Sequence, residues 1–131
     1  MISIIQGEVV AIHSDNLVIM VGGVGVKVHV PAQLRQTSHL GEKIGLFTSL
    51  VVREDALILY GFSNEEEQVF FDLLIGASGI GPRTAIAILS VLSVDTIRRA
   101  VLSEQPDILA RVPGVGKKTA VKLMLHLQGK V

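Results

Sequence analysis

The stretch P-G-V-G-K-K-T-A, Pro113 to Ala120, sets two glycines, two lysines and a threonine side by side. Such a run points to a phosphate, either of a nucleotide or of a nucleic-acid backbone. A nucleotide-binding P-loop needs G-x-x-x-x-G-K-[ST] after a strand. If Gly116 and Lys117 are the G-K pair, Arg111 stands where the first glycine belongs and Lys118 where Ser or Thr belongs. The residues ahead of it read as helix, not strand. A dinucleotide fingerprint fails as well, because Thr119 occupies the place of the third glycine. Nucleotide hydrolysis is not expected from this loop.

The stretch has a twin. G-I-G-P-R-T-A-I-A-I-L (Gly79 to Leu89) and G-V-G-K-K-T-A-V-K-L-M (Gly114 to Met124) lie 35 residues apart. Both glycines, the threonine and the alanine after it are identical, and most other positions differ conservatively. A short apolar helical segment precedes each, so each unit reads as helix, Gly-x-Gly turn, helix. Neither unit is large enough to bury a core alone, and the two are expected to pack together. A helix start leaves its first N–H groups unpaired and partly positive. Glycine lets an anion approach those groups and permits positive φ. Pro82 suits a first helical position, and Arg83, Lys117 and Lys118 add positive charge. The candidate backbone-binding residues are Gly79, Gly81, Arg83 and Thr84 in the first hairpin. In the second they are Gly114, Gly116, Lys117, Lys118 and Thr119. A single Gly-x-Gly is as readily a plain tight turn, and a row of lysines a solvated helix face. The duplication of glycines and following cations favours binding. Two anion sites at fixed separation suit a regular polyanion gripped through its phosphates, independently of sequence.

Global composition gives no such hint: 12 Lys and Arg balance 12 Asp and Glu. The charge is local, since residues 108–131 carry Arg111, Lys117, Lys118, Lys122 and Lys130 and no Asp or Glu. There is no cysteine, which removes disulfides, thiolate metal sites and cysteine nucleophiles. His13, His29, His39 and His126 show no ligand spacing, so neither a metal nor a cofactor is expected. No signal peptide or membrane span is legible, which makes a cytoplasmic protein without membrane contact the expectation.

Residues 1–62 read as short strands. E-V-V-A-I-H-S-D-N-L-V-I-M-V is two β-branched runs around a polar turn at His13 to Asn16. G-G-V-G (Gly22 to Gly25) bends the chain into V-K-V-H-V, and a loop or short helix follows from Pro31. K-I-G-L-F-T-S-L-V-V and A-L-I-L-Y-G-F are separated by R-E-D. About five strands in so few residues suit a small closed barrel, OB-type or SH3-like, because closure removes exposed edges. At Ser63 the character changes. Ser63 and Glu66 have capping-box spacing, Glu65, Glu66 and Glu67 favour a first helical turn, and Val69, Phe70, Leu73 and Leu74 follow at helical spacing. The expected class is α+β with two domains, an all-β barrel over 1–62 and an all-α domain over 63–131, divided at residues 62–64. Glu65, Glu66, Glu67 and Asp72 make that helix start acidic, a face expected to turn away from a polyanion.

With these motifs the whole chain resembles the RuvA family of Holliday-junction-binding proteins. The resemblance rests on the paired G-I-G-P-R-T-A and G-V-G-K-K-T-A hairpins, on V-G-G-V-G-V-K-V-H-V-P (Val21 to Pro31) and above all on V-V-R-E-D-A-L-I-L-Y-G-F (Val51 to Phe62). It implies an OB-fold followed by two helix-hairpin-helix motifs, and a homotetramer, or an octamer on DNA, that holds four-way junction DNA open and square-planar. The implied setting is recombination, repair and the SOS response. The implied partners are a hexameric ATPase motor, RuvB, and a junction resolvase, RuvC. It also gives R-E-D, otherwise an ordinary charged turn, the role of an acidic pin: Glu54 and Asp55 repel phosphates at the crossover while Arg53 attracts them. Such a protein is a DNA-binding subunit and not an enzyme. Two departures stand out. The third domain through which the family docks on its motor is not visible here, either removed or absent, and Arg83 stands where lysine is common. The competing classes are a repair enzyme such as a nuclease or glycosylase, and an interaction module that binds no DNA.

Overall fold

Alternation of apolar and polar residues and a few glycines bend the first half of the chain into a closed barrel. In the computed structural model, which describes all 131 residues, five strands are ordered β1-β2-β3-β5-β4 around the barrel. They are β1 (Ile4–Ile12), β2 (Asn16–Val21), β3 (Val24–His29), β4 (Lys43–Val52) and β5 (Leu57–Phe62), with a helix α1 (Ala32–Thr37) between β3 and β4. The first half of β1 pairs with β4 and its second half with β2, so one strand serves two neighbours. The register slips between Val9 and Ala11, a bulge that adds the local bend a small barrel requires. The parallel pairs Val28↔Leu59 and His29↔Tyr60 close the ring. The OB-type expectation therefore holds, and no long strand edge is left to aggregate.

The barrel is filled by Ile5, Val9, Leu17, Ile19, Val28, Val30, Leu46 and Leu59, with Leu34 of α1 packed against them. Each such aliphatic side chain contributes about 1.5–3 kcal/mol through burial. Gly7 sets how closely β1 can lie over β2: a Cβ there would stand 2.2 Å from the Met20 carbonyl oxygen and 2.8 Å from Ile19 Cγ2. The residues ahead of β1 are tied to β4, where Thr48 donates its Oγ1 proton to the Ile2 carbonyl (2.6 Å) and its N–H to that of Ser3 (2.8 Å).

Five helices follow: α2 (Glu65–Ile75), α3 (Pro82–Val91), α4 (Val94–Leu102), α5 (Pro106–Leu109) and α6 (Lys117–Leu127). The chain divides into two units, Met1–Gln68 and Val69–Val131. The capping box of α2 sits one residue later than the spacing of Ser63 and Glu66 suggests. Asn64 Oδ1 accepts the Glu67 N–H at 2.9 Å, and Glu67 Oε1 in turn accepts from the Asn64 side-chain Nδ2 and the Ser63 hydroxyl. Asn and Ser cap equally well, so the choice falls to where the strand releases the chain. In the second unit, α4, α5 and α6 pack on one another, and the Arg98 guanidinium lies 5.4 Å from the Phe70 ring centroid. No helix is long and apolar enough to cross a membrane.

The chain has one tyrosine and no tryptophan, and that tyrosine, Tyr60, is buried in β5. Intrinsic fluorescence therefore reports on the barrel alone. Gly7→Ala should lower barrel stability by about 1–3 kcal/mol, the usual cost of overpacking, seen as an earlier urea midpoint in tyrosine emission. An unchanged midpoint would show that β1 and β2 can move apart freely.

Candidate nucleic-acid interface

The internal repeat seen in the sequence is a repeat of structure, position by position. Leu74 and Leu109, Ala85 and Ala120, and Ile88 and Leu123 are all fully buried, and Ala77 and Val112, each the last buried residue before its glycines, are nearly so. The middle residues of the two turns, Ile80 and Val115, are 6% and 5% exposed. The backbone repeats too. Ala77 N–H donates to Leu74 O and Ile80 N–H to Ala77 O, as Val112 N–H does to Leu109 O and Val115 N–H to Val112 O. The second copy differs in its leading helix, since α5 has only four residues where α2 has 11. The turn is thus the retained part.

The glycines in each turn have different reasons to be glycine. Gly79 and Gly114 sit at φ 83° and 90°, a region that L side chains rarely adopt. Gly81 and Gly116 are ordinary extended N-caps, at φ −92° and −82°. Positive φ, expected from the sequence for the turn glycines in general, applies to the first of each pair only. At all four positions a Cβ would meet nothing within 4 Å. Neither backbone strain nor packing asks for glycine at 81 or 116. What its absence of a side chain gives there is open access to the helix start. No side chain caps either helix, so the first-turn amides face outward with the positive end of the helix dipole behind them.

Set in register 35 residues apart, the two copies are unequal. Arg83 matches Lys118, and Lys117 matches Pro82. Pro82 has no N–H, so α3 presents the amides of Arg83 and Thr84 before Ala85 bonds back to Gly81 O. In α6, Lys117, Lys118 and Thr119 precede the equivalent bond from Ala120 to Gly116 O. Arg83, Lys117 and Lys118 are exposed, and Thr84 and Thr119 half-buried. The second hairpin therefore carries more donors and more charge.

Arg53, Glu54 and Asp55 form the tip of the β4–β5 hairpin, closed by Arg53 N–H donating to Ala56 O at 2.9 Å. All three are exposed. They belong to the first unit and the hairpins to the second. Sequence reasoning missed His126. From the last turn of α6 its Nε2 bonds the Leu73 carbonyl at 3.1 Å, and its Nδ1 lies 3.4 Å from Lys130 Nζ. The bond occupies a carbonyl in the last turn of α2 that has no intrahelical partner. The only advance sign was a histidine on a basic helix, which does not reveal a bond spanning 53 residues.

A five-strand OB-type barrel followed by a tandem of helix-hairpin-helix turns defines a class of two-part protein built to present loops and helix starts outward. Residues 1–61 match the model of the RuvA N terminal domain, and residues 71–129 that of the SAM-like helix-hairpin-helix tandem. Proteins named "Holliday junction branch migration complex subunit RuvA" align along the whole chain. That of Thermobifida fusca is 47% identical with 65% of its length covered, that of Acidothermus cellulolyticus 44% with 67%, and that of Chloroflexus aurantiacus 43% with 68%. The chain belongs to the RuvA family and spans about two thirds of the length of these relatives.

Gly114→Ala forces a side chain into positive φ and should cost about 1–2 kcal/mol. Gly116→Ala changes only an N-cap and should cost less than about 1 kcal/mol. Thermal unfolding followed by helical circular dichroism ranks the two. The reverse order would mean that the turn does not hold Gly114 in this conformation.

Proposed function

We propose that this chain is a structure-specific DNA-binding module that takes a four-way junction and holds its arms apart without any bond chemistry. The observation that supports it most is the duplicated helix start. At each, an N-cap glycine that neither φ nor packing requires leaves unpaired amides accessible, with a cation in the first turn. Gly79, Gly81, Arg83 and Thr84 form one grip on the phosphate backbone, and Gly114, Gly116, Lys117, Lys118 and Thr119 the other. Glu54 and Asp55 act as a pin that repels phosphates at the crossover, with Arg53 drawing them outward. The names of the relatives agree with this reading.

On the same reading the functional domains are 1–62 and 63–131, and four chains assemble around the junction, two such tetramers enclosing it in an octamer. Two carboxylates from each chain then surround the crossover. Branch migration in recombination and repair is driven by the hexameric ATPase RuvB, docked through the part of the relatives that this chain does not span. RuvC acts on the junction so presented, in the cytoplasm.

A gel-shift titration at moderate salt should give markedly tighter binding to a four-way junction than to duplex of equal length; equal affinity would sink the proposal. Magnesium-dependent cleavage of either DNA would put a nuclease in its place. Affinity for duplex should fall with salt at a slope near −0.9 per phosphate contacted. Gly116→Ala should weaken binding to both DNAs with circular dichroism unchanged. Glu54→Gln with Asp55→Asn should keep or raise affinity while reducing the preference for the junction; a large loss of affinity would make these two residues structural.

A further inference from the structure

The β4–β5 hairpin carries its apolar core pattern beyond the barrel. Along the ladder, Leu50 faces Leu59 and, two positions on, Val52 faces Leu57. Because side chains alternate between faces, Val52 and Leu57 lie on the same face as Leu50 and Leu59, which pack in the barrel core. Yet Val52 is 62% exposed and Leu57 70%. The intervening pair, Val51 and Ile58, lies on the other face, and the ladder ends at Val52 and Leu57, beyond which Arg53, Glu54 and Asp55 form the exposed turn. The hairpin therefore ends in an exposed aliphatic pair on the core-side face of the ladder, followed by an arginine and two carboxylates in the turn.

We infer that Val52 and Leu57 are an apolar wedge that rests against the faces of nucleobases unstacked at the crossover. The inference rests on the junction-binding reading above and gives the pin a second contact. The occupant follows from charge. Glu54 and Asp55 repel phosphate, so a strand that reaches the tip turns its backbone away and its bases inward. A second copy of the same hairpin would bring four carboxylates together over the apolar pair. A base face is flat, uncharged and apolar, and wants removal from water once its stacking partner is lost. Aliphatic side chains set against opened base steps supply that. The carboxylates guide the backbone, and the pair behind them takes up the exposed face.

The test places 2-aminopurine beside the crossover of a four-way junction and compares the parent protein with Val52→Thr/Leu57→Gln and with Leu57→Gln alone. Binding of the parent should raise the fluorescence. The double variant should bind within about threefold of the parent, since phosphate contacts dominate affinity. Its fluorescence rise should be about twofold smaller or less, with the single variant between. An equal rise in parent and variants overturns the wedge. So does a change in the solution mass of the variants, which would assign the pair to contact between copies. If the parent itself does not prefer junction to duplex, the junction-binding reading fails and takes this one with it; preference with an equal rise removes the wedge alone.

Discussion

In each hairpin of the second unit the chain must leave one helix and begin the next within a few residues while its middle residue enters the core. Ile80 and Val115 do so, and everything around them adapts. The residue before must turn through positive φ, hence Gly79 and Gly114. The residue after comes out extended to cap the next helix, as Gly81 and Gly116 do, in a backbone that any residue could adopt. Burial of the middle side chain contributes about 1.5–3 kcal/mol and fixes where the helix starts point. The direction of the outward amides is thus set by an inward anchor.

The barrel follows a comparable logic with a different constraint. Close approach of β1 to β2 at Gly7 and a slip after Val9 bend one strand around two neighbours. Closure through β3 and β5 then leaves the β4–β5 hairpin as the element that extends outward. The turn that carries Glu54 and Asp55 is thus presented by two paired strands.

The division into strands and helices, the closed barrel and the paired hairpins were all legible in the sequence, because each has a period or a repeated motif. What was not legible depends on contacts distant in sequence or on fine register. Ser63 and Asn64 are equally good caps, and only the end of β5 decides for Asn64. Gly81 and Gly116 look like positive-φ glycines beside Gly79 and Gly114, since a sequence shows residue type and not φ. The pairing of Lys117 with Pro82 was readable from the alignment of the repeats, but only the positions of the first helical amides give it meaning. Gly7, Thr48 and His126 matter through partners that no local pattern names.

Inequality between the two grips has a consequence for how such a complex would let go. On the reading proposed above, the hairpin at Pro82 holds phosphate with few amides and one arginine, while that at Lys117 adds a further donor and a second cation. Charge is screened by added ions more than a short hydrogen bond is. Rising ionic strength would therefore erode the two holds at different rates, and the molecule would pass through a state anchored at one point and free at the other. A clamp that releases one hand first can pivot and re-grip along a uniform backbone without leaving it, which is what a protein riding on a moving crossover has to do.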